Sequence, residues 1–320
     1  MRDAGGHRRP RGAVGVTTVA AIDCGTNTIK LLIGDLPAVA VRESRMVRLG
    51  QGVDATGRLA PEALARAFAA IDEYAVLIAD HGVQRIRFCA TSATRDASNA
   101  ADFTAGVRAR LGVDPEVVSG EEEARLAFGG ALRGLALSGS APLPGPVLVV
   151  DIGGGSTELI LGDRASGPRA AFSMDIGSVR LHERCLGGDP ATPDQVSTCV
   201  AAIDAALDGC PVDPAEAASF LGIAGTVTTV AAGVLGLPAY DRDLIHGRVL
   251  DVAAVHAQVD DLVRATRAER LALGYVHPGR ADVIDAGALI LSRVLARTRL
   301  SEMTVAETDI LDGIAWSLLD

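Results

Sequence analysis

The chain repeats itself. Residues 19–35 read VAAIDCGTNTIKLLIGD and residues 147–163 read VLVVDIGGGSTELILGD, at an offset of 128 positions. In each copy an apolar run ends on Asp and passes through a turn rich in Gly, Ser and Thr. A second apolar run follows and closes on Gly-Asp. Asp23 matches Asp151, Gly25 matches Gly153, Thr28 matches Ser156, and Gly34-Asp35 matches Gly162-Asp163. Each copy reads as a β-hairpin with a small-residue turn. Glycine and hydroxyl residues at such a turn let backbone N–H groups approach an anion closely. An Asp at the end of the first strand would repel a bare phosphate, but it has a use if it holds Mg²⁺ or a water. A merely buried hairpin has no need of that Asp twice. The repeat therefore predicts two related domains facing a shared cleft.

The segments between and after the hairpins alternate strand and helix, which places the chain in the α/β class. In the first half Pro61–Asp80 reads as a helix with Pro in its first turn, Arg85–Ala90 as a strand, Asn99–Leu111 as a helix stopped at Gly112, and Pro115–Ser119 as a short strand. Ser119 followed three residues later by Glu122 predicts a capping box. Leu137–Pro146 is a Gly/Pro/Ser loop. In the second half helices are expected at Thr192–Leu207, Val252–Leu273, Arg280–Thr298 and Ile310–Leu319. Strands are expected at Phe220–Ala224, entering a Gly225-Thr226 turn, and at Glu302–Ala306.

Composition removes several functions. The formal charge is −10, from 40 acidic and 30 basic residues, and aromatic residues make up 3%. A nucleic-acid binder needs a basic face and platforms for stacking, so no nucleic-acid partner is expected. Lys30 is the one lysine, and the residues around it form no G-x-x-x-x-G-K-[ST] phosphate loop. The five cysteines are odd in number with no C-x-x-C, and the histidines form no H-x-x-x-H pair. Buried thiols in a reducing compartment are expected, not a disulfide framework or a zinc site. No apolar run is long enough to span a bilayer, so no membrane partner and a cytoplasmic location are expected. Residues 1–16 read as a flexible tail carrying four arginines.

Four segments carry chemistry: IDCGTNTIKLLI (22–33), ATSATRDASN (90–99), VSGEEEARLAF (118–128) and VDIGGGSTELI (150–160). Asp151–Glu158 presents three consecutive glycines, the Ser156 hydroxyl and two carboxylates, an anion nest flanked by a metal-binding pair. It is neither the dinucleotide fingerprint nor a G-x-S-x-G nucleophile elbow, because Glu158 stands at the last glycine position. Glu121, Glu122 and Glu123 near a helix start would complement its dipole. Arg95 in TSATRDAS reads plainly as a solvated loop charge, and Lys30, which matches Glu158 in the repeat, as an exposed one.

Together these segments resemble the exopolyphosphatase/guanosine pentaphosphate phosphohydrolase (Ppx/GppA) family, in its short two-domain form. Weaker matches at GIAGTVTT (222–229), RADVIDAGALIL (280–291) and AETDILDGIAW (306–316) extend the resemblance from about Val16 to the C-terminus. It implies an α/β fold of two related domains of the actin–sugar kinase–Hsp70 (ribonuclease H-like) type around a central cleft. Residues 17–140 would form domain I, rejoined by the C-terminal helix 307–320, and residues 141–306 domain II. The implied reaction is hydrolysis of the terminal phosphoanhydride of inorganic polyphosphate, with Mg²⁺ or another divalent cation as cofactor. Guanosine pentaphosphate is the alternative substrate, and a kinase of the same superfamily or a non-catalytic phosphate-chain sensor are rival readings.

The resemblance places the catalytic role, orienting or deprotonating the attacking water, on Glu123. It places phosphate binding on Arg95, on Gly153, Gly154, Gly155 and Ser156, on Gly25, Thr26, Asn27 and Thr28 across the cleft, and on Gly225 and Thr226. Metal ligation falls to Asp151 and Glu158, with Asp23. Longer members of the family continue into a further helical domain, so a preference for shorter polyphosphate chains is expected here. A homodimer is left open.

Overall fold

A computed structural model describes residues 17–320. The arginine-bearing tail, residues 1–16, lies outside the described residues. In the first half the elements run β1 (Val19–Cys24), β2 (Thr28–Asp35), β3 (Ala38–Met46), α1 (Val53–Thr56), α2 (Pro61–Asp80), β4 (Arg85–Ala90), α3 (Ser92–Asp96), α4 (Ala100–Leu111), β5 (Glu116–Val117) and α5 (Gly120–Leu137). In the second they run β6 (Val147–Ile152), β7 (Thr157–Asp163), β8 (Gly167–Met174), α6 (Ser178–Cys185), α7 (Pro193–Asp208), β9 (Ser219–Ile223), α8 (Ala224–Val234), α9 (Arg242–Ile245), β10 (Val249–Asp251), α10 (Val252–Arg264), α11 (Arg267–Ala272), α12 (Ile284–Leu295) and β11 (Glu302–Val305). A last helix, α13 (Ile310–Ser317), follows.

The sequence repeat becomes a topological one. The first sheet has the order β3-β2-β1-β4-β5 and the second β10-β11-β9-β6-β7-β8. In each, the hairpin and a third strand run antiparallel, while the first hairpin strand pairs in parallel with a later strand. This is the two-domain fold that the resemblance implies. Strands β1 and β6 are buried on both faces, which explains their unbroken apolar runs.

The repeated Gly-Asp also has a structural cause. The ladder shifts register between Ile33 and Gly34 and, in the second copy, between Leu161 and Gly162. A Cβ on Gly34 would lie 2.3 Å from the Ala38 carbonyl oxygen, and one on Gly162 would lie 2.4 Å from that of Gly167. Each third strand crosses too closely for a side chain there.

The first half has its own core around Ile22, Tyr74, Phe88 and Phe103, and the second around Leu148, Ile203 and Ile290. A third apolar cluster joins α5 and α13 to both sheets, through Ala21, Leu32, Val149, Leu221, Phe128 and Ile314. Helix α13 thus returns to the first half after the second is complete.

Several sequence expectations need correction. The third strand of each hairpin, β3 and β8, was not foreseen. The helix expected over Val252–Leu273 is two helices, because the Thr266 side chain and Glu269 form a capping box that restarts it. Helix α12 begins at Ile284, four residues after Arg280. The Ser119 capping box is only half made. The Ser119 hydroxyl accepts from the Glu122 N–H, but the Glu122 carboxylate turns to Arg125 and Arg87 instead. Arg95 lies in the helix α3 rather than in a loop. Gly225 and Thr226 form the first turn of α8, which Ala224 enters with a φ of 65°.

Candidate active site

The two hairpin turns have matching geometry. The Gly25 N–H donates to the Thr28 carbonyl at 2.9 Å, and the Gly153 N–H to the Ser156 carbonyl at 3.0 Å. They face one another across a narrow cleft of about 80 Å³. Asp23, Gly25, Thr26, Asn27, Thr28, Glu123, Asp151, Gly153, Gly154, Ser156, Gly225 and Thr226 of the expected set all line it. Three expected residues stand behind the wall. Gly155 turns into the seam between the halves, where an added Cβ would meet the Thr26 and Ser92 hydroxyls at 2.5 and 2.6 Å. Glu158 is directly opposite Asp151 in the β6–β7 ladder and accepts a hydrogen bond from the Ser173 hydroxyl at 2.7 Å. Arg95 sits behind Glu123.

That last position gives Arg95 a partner within the site. Its guanidinium donates to the Val118 carbonyl at 2.9 Å and to the Glu123 carboxylate at 3.3 Å. Both bonds use one terminal nitrogen, so Arg95 orients Glu123 with part of its fork. Glu123 lies in the first turn of α5, buried, between Glu122 and Ala124. Glu122 faces Arg87 and Arg125 near the surface. One residue of helical rotation separates a solvated cap acid from a cleft acid.

The Lys30 expectation is overturned. Lys30 faces Asp23 in the β1–β2 ladder, as Glu158 faces Asp151 in the other hairpin. Its ammonium is 3.3 Å from the Asp23 carboxylate and donates to Asp309 at 2.7 Å, with little exposure on any of the three. Burial pulls the Lys30 ammonium down, but Asp309 and Asp23 outweigh it and raise its pKa. Asp309 moves the opposite way: burial pushes it up, but the Lys30 charge and hydrogen bond hold it below the usual carboxylate range. Asp23 is raised by burial despite Lys30. The Asp23 carboxylate, expected as a metal ligand beside Asp151 and Glu158, thus lines the cleft with a lysine beside it.

The second hairpin carries the opposite electrostatics. Burial and the neighbouring Glu158 push Asp151 well above its ordinary range. Burial also raises Glu158. Glu123 is pushed well up by burial and by Glu158, with Arg95 only partly offsetting. Three buried acids thus meet with too little positive charge to balance them. Among the described residues, no group of three or more His, Cys, Asp or Glu is arranged as a ready metal cage. Hard carboxylate oxygens with uncompensated charge nevertheless suit Mg²⁺, which typically takes one or two carboxylates and completes its shell with phosphate oxygens and water.

Sequence reasoning missed two residues of this site. Asp309 caps α13 and is brought to Lys30 by the return of that helix. Arg280 lines the cleft and is half-buried. Its guanidinium lies against Gly225, where an added Cβ would be 2.0 Å away. Burial lowers its pKa, with Tyr240, Glu307 and Asp309 opposing from nearby. Both residues fall within segments quoted above for their weaker resemblance, RADVIDAG and AETDILDG. Arg280 also borders a larger adjoining cavity of about 470 Å³, lined by Arg42, Tyr240, Arg242, Tyr275 and Glu307 among others.

Comparison with known proteins identifies the family. A sequence model of the Ppx/GppA phosphatase family matches residues 32–320. A relative from Mycobacterium tuberculosis named Exopolyphosphatase 2 is 44% identical, with 95% of this chain and 99% of the relative covered. A guanosine-5'-triphosphate,3'-diphosphate pyrophosphatase from Vibrio atlanticus is 29% identical over 94% of this chain but only 59% of its own length. Among solved structures, an exopolyphosphatase-like protein superposes with a TM-score of 0.91 at 43% identity, covering 94% of this chain and 98% of that one.

Proposed function

The chain belongs to the Ppx/GppA phosphatase family, and on that premise we propose that it is an exopolyphosphatase, releasing phosphate from the end of inorganic polyphosphate. One observation carries the reading. Two small-residue turns face each other across a cleft whose wall holds an oriented glutamate and an excess of buried acid. A hydrolase of a polyanion needs those parts: amides for the phosphate oxygens, a positioned base, and a place for a cation.

The terminal phosphoryl group is held between Gly153, Gly154 and Ser156 on one side and Gly25–Thr28 on the other. Arg280, with no carboxylate bonded to it among the described residues, offsets charge on phosphate oxygens at the far end of the cleft. Asp151, with Glu158 behind it, would hold a divalent cation directly or through water. Such a cation neutralises charge on the phosphates and draws electron density from the bond to be broken. Glu123, fixed by Arg95, accepts a hydrogen bond from the attacking water and takes its proton. Burial suits it to that role, because a carboxylate lifted above its ordinary range is a stronger base near neutral pH. The leaving group is the shortened chain.

The test is phosphate release from polyphosphate and from guanosine pentaphosphate, side by side, with Mg²⁺ and with chelator. Metal-dependent release that favours polyphosphate supports the proposal. Preference for guanosine pentaphosphate would reassign the substrate within the same chemistry. Binding of either without release would remove the enzymatic reading.

A further inference from the structure

At the seam between the halves stands an arginine that the reaction does not use directly. Arg180 lies in the first turn of α6, whose N-terminal amides already hold the second turn: Ser178 N–H donates to the Gly153 carbonyl, and Val179 and Arg180 N–H to that of Gly154. From there the Arg180 side chain reaches three ways. Its Nε donates to the Gly155 carbonyl at 2.7 Å, in its own half. Its two terminal nitrogens cross to the first half, one to Asp54 at 2.7 Å and the other to Asp96. Asp96 is the residue after Arg95, which holds Glu123. A continuous series of contacts thus joins the phosphate turn of one half to the glutamate supplied by the other.

The surroundings show that this contact is built in. The Arg180 side chain is 11% exposed. The seam around it, lined by Thr26, Asp54, Ala93, Asp96 and Gly155, leaves a void of only about 10 Å³. Arg184 adds a second bond pair to Asp54, and Glu183 accepts from the Gly52 N–H. The planar guanidinium fork supplies three directed donors at once, which an ammonium cannot do in fixed geometry.

We propose that Arg180 is a positioning residue that sets the register between the Gly153–Ser156 turn and the Arg95–Glu123 pair, so that phosphate and attacking water are presented to each other only when the seam is closed. The inference rests on the exopolyphosphatase reading for what is being positioned, but the clasp itself does not.

The experiment uses Arg180→Met, Arg180→Lys, Asp96→Asn and the Arg180→Met/Asp96→Asn pair, with two measurements. In phosphate release from polyphosphate, Arg180→Met should lower kcat about a hundredfold, as expected for a misplacement of about 1 Å. Its KM should move by less than about tenfold, and Arg180→Lys should restore only part of kcat. The double variant should be no worse than Arg180→Met alone, because both substitutions break one contact. In hydrogen exchange of the substrate-free chain, segments 92–97 and 153–156 should both exchange faster in Arg180→Met, while α2 is unchanged. If Arg180→Met does not fold, Asp96→Asn carries the test, with faster exchange expected across the seam at 153–156. Losses that multiply in the double variant, or exchange changes confined to the substituted half, would overturn the proposal. A wild-type chain that releases no phosphate would overturn the function while leaving the exchange result to judge the clasp.

Discussion

One step before the turn, hairpin β1–β2 places Asp23 opposite Lys30, and hairpin β6–β7 places Asp151 opposite Glu158. Backbone, register and turn are shared, and the facing pair alone is changed in sign. In the first hairpin the charges close on themselves, with Asp309 arriving from α13 as a third member. In the second they do not, and the excess acid faces the cleft beside Glu123. The difference separates two tasks that a symmetric scaffold would otherwise share. One hairpin holds the halves and the last helix together, while the other keeps an excess of buried acid that a divalent cation would offset.

The largest effect should come from the glutamate that the second hairpin faces. Glu123→Gln is expected to lower phosphate release by about 10²–10⁴-fold, the usual contribution of a positioned base, while leaving polyphosphate binding intact. Equilibrium binding and turnover on the same preparation check it, and near-wild-type turnover would end the assignment.

Next in size is a stability contrast between the hairpins. Lys30→Met leaves two buried carboxylates without their partner and should cost about 3–5 kcal/mol in urea unfolding. Glu158→Gln removes like-charge repulsion and should leave metal-free stability unchanged or higher, though activity falls. If both variants lose stability equally, the division of labour is wrong.

Asp309, the closer partner of Lys30, should respond to pH with the opposite sign to the acids of the second hairpin, which Asp23 follows because burial raises it too. Asp151, Glu158 and Glu123 have folded pKa values above their unfolded ones, so the folded state binds more protons in that window. In chelator, stability should fall as pH rises from about 4 through their raised folded values. Asp309 is held below its unfolded value, so its contribution is present above about pH 4 and is lost as pH falls through the depressed value. Urea midpoints across pH should show Glu158→Gln flattening the first trend and Asp309→Asn the second. Either variant flattening both would mean that the two clusters titrate as one.

The smallest effect is a control on helix phase. Glu122→Ala removes pairs with Arg87 and Arg125 that lie near solvent, and should change stability by no more than about 1 kcal/mol with turnover unaltered. A loss of turnover matching that of Glu123→Gln would mean that the wrong face of α5 had been placed in the cleft.

What the sequence made legible follows the range of the interactions. The hairpins, their matching register and the helix α2 depend on patterns of a few residues, and the repeat supplied a second copy of the most informative one. Strand β3 escaped because AVAVRESRM lies at a sheet edge, half exposed and charged, without the alternation of a one-sided strand. Lys30 was misread because the residue that buries it, Asp309, is brought in by a helix from the other end of the fold. The Arg95–Glu123 pair was not legible, since the distance between them depends on how α3 and α5 meet. The Arg180 clasp had no local signature at all: its acceptors lie on α1 and α3 of the other half and on a turn of its own.

The return of α13 bears on how the molecule is made. Its side chains cover β1 and β2 and join them to α5, and its cap supplies the acid that buries Lys30. A ribosome synthesises β1 first and α13 after every other element here. The first sheet must therefore wait, with one face uncovered and Lys30 lacking its closer partner, until more than 300 residues have been made. Contacts separated so widely in sequence form late and slowly. The early half of this chain is thus the part that a chaperone would be called on to shield, and a stop codon just before Ile310 should harm the first domain more than the second.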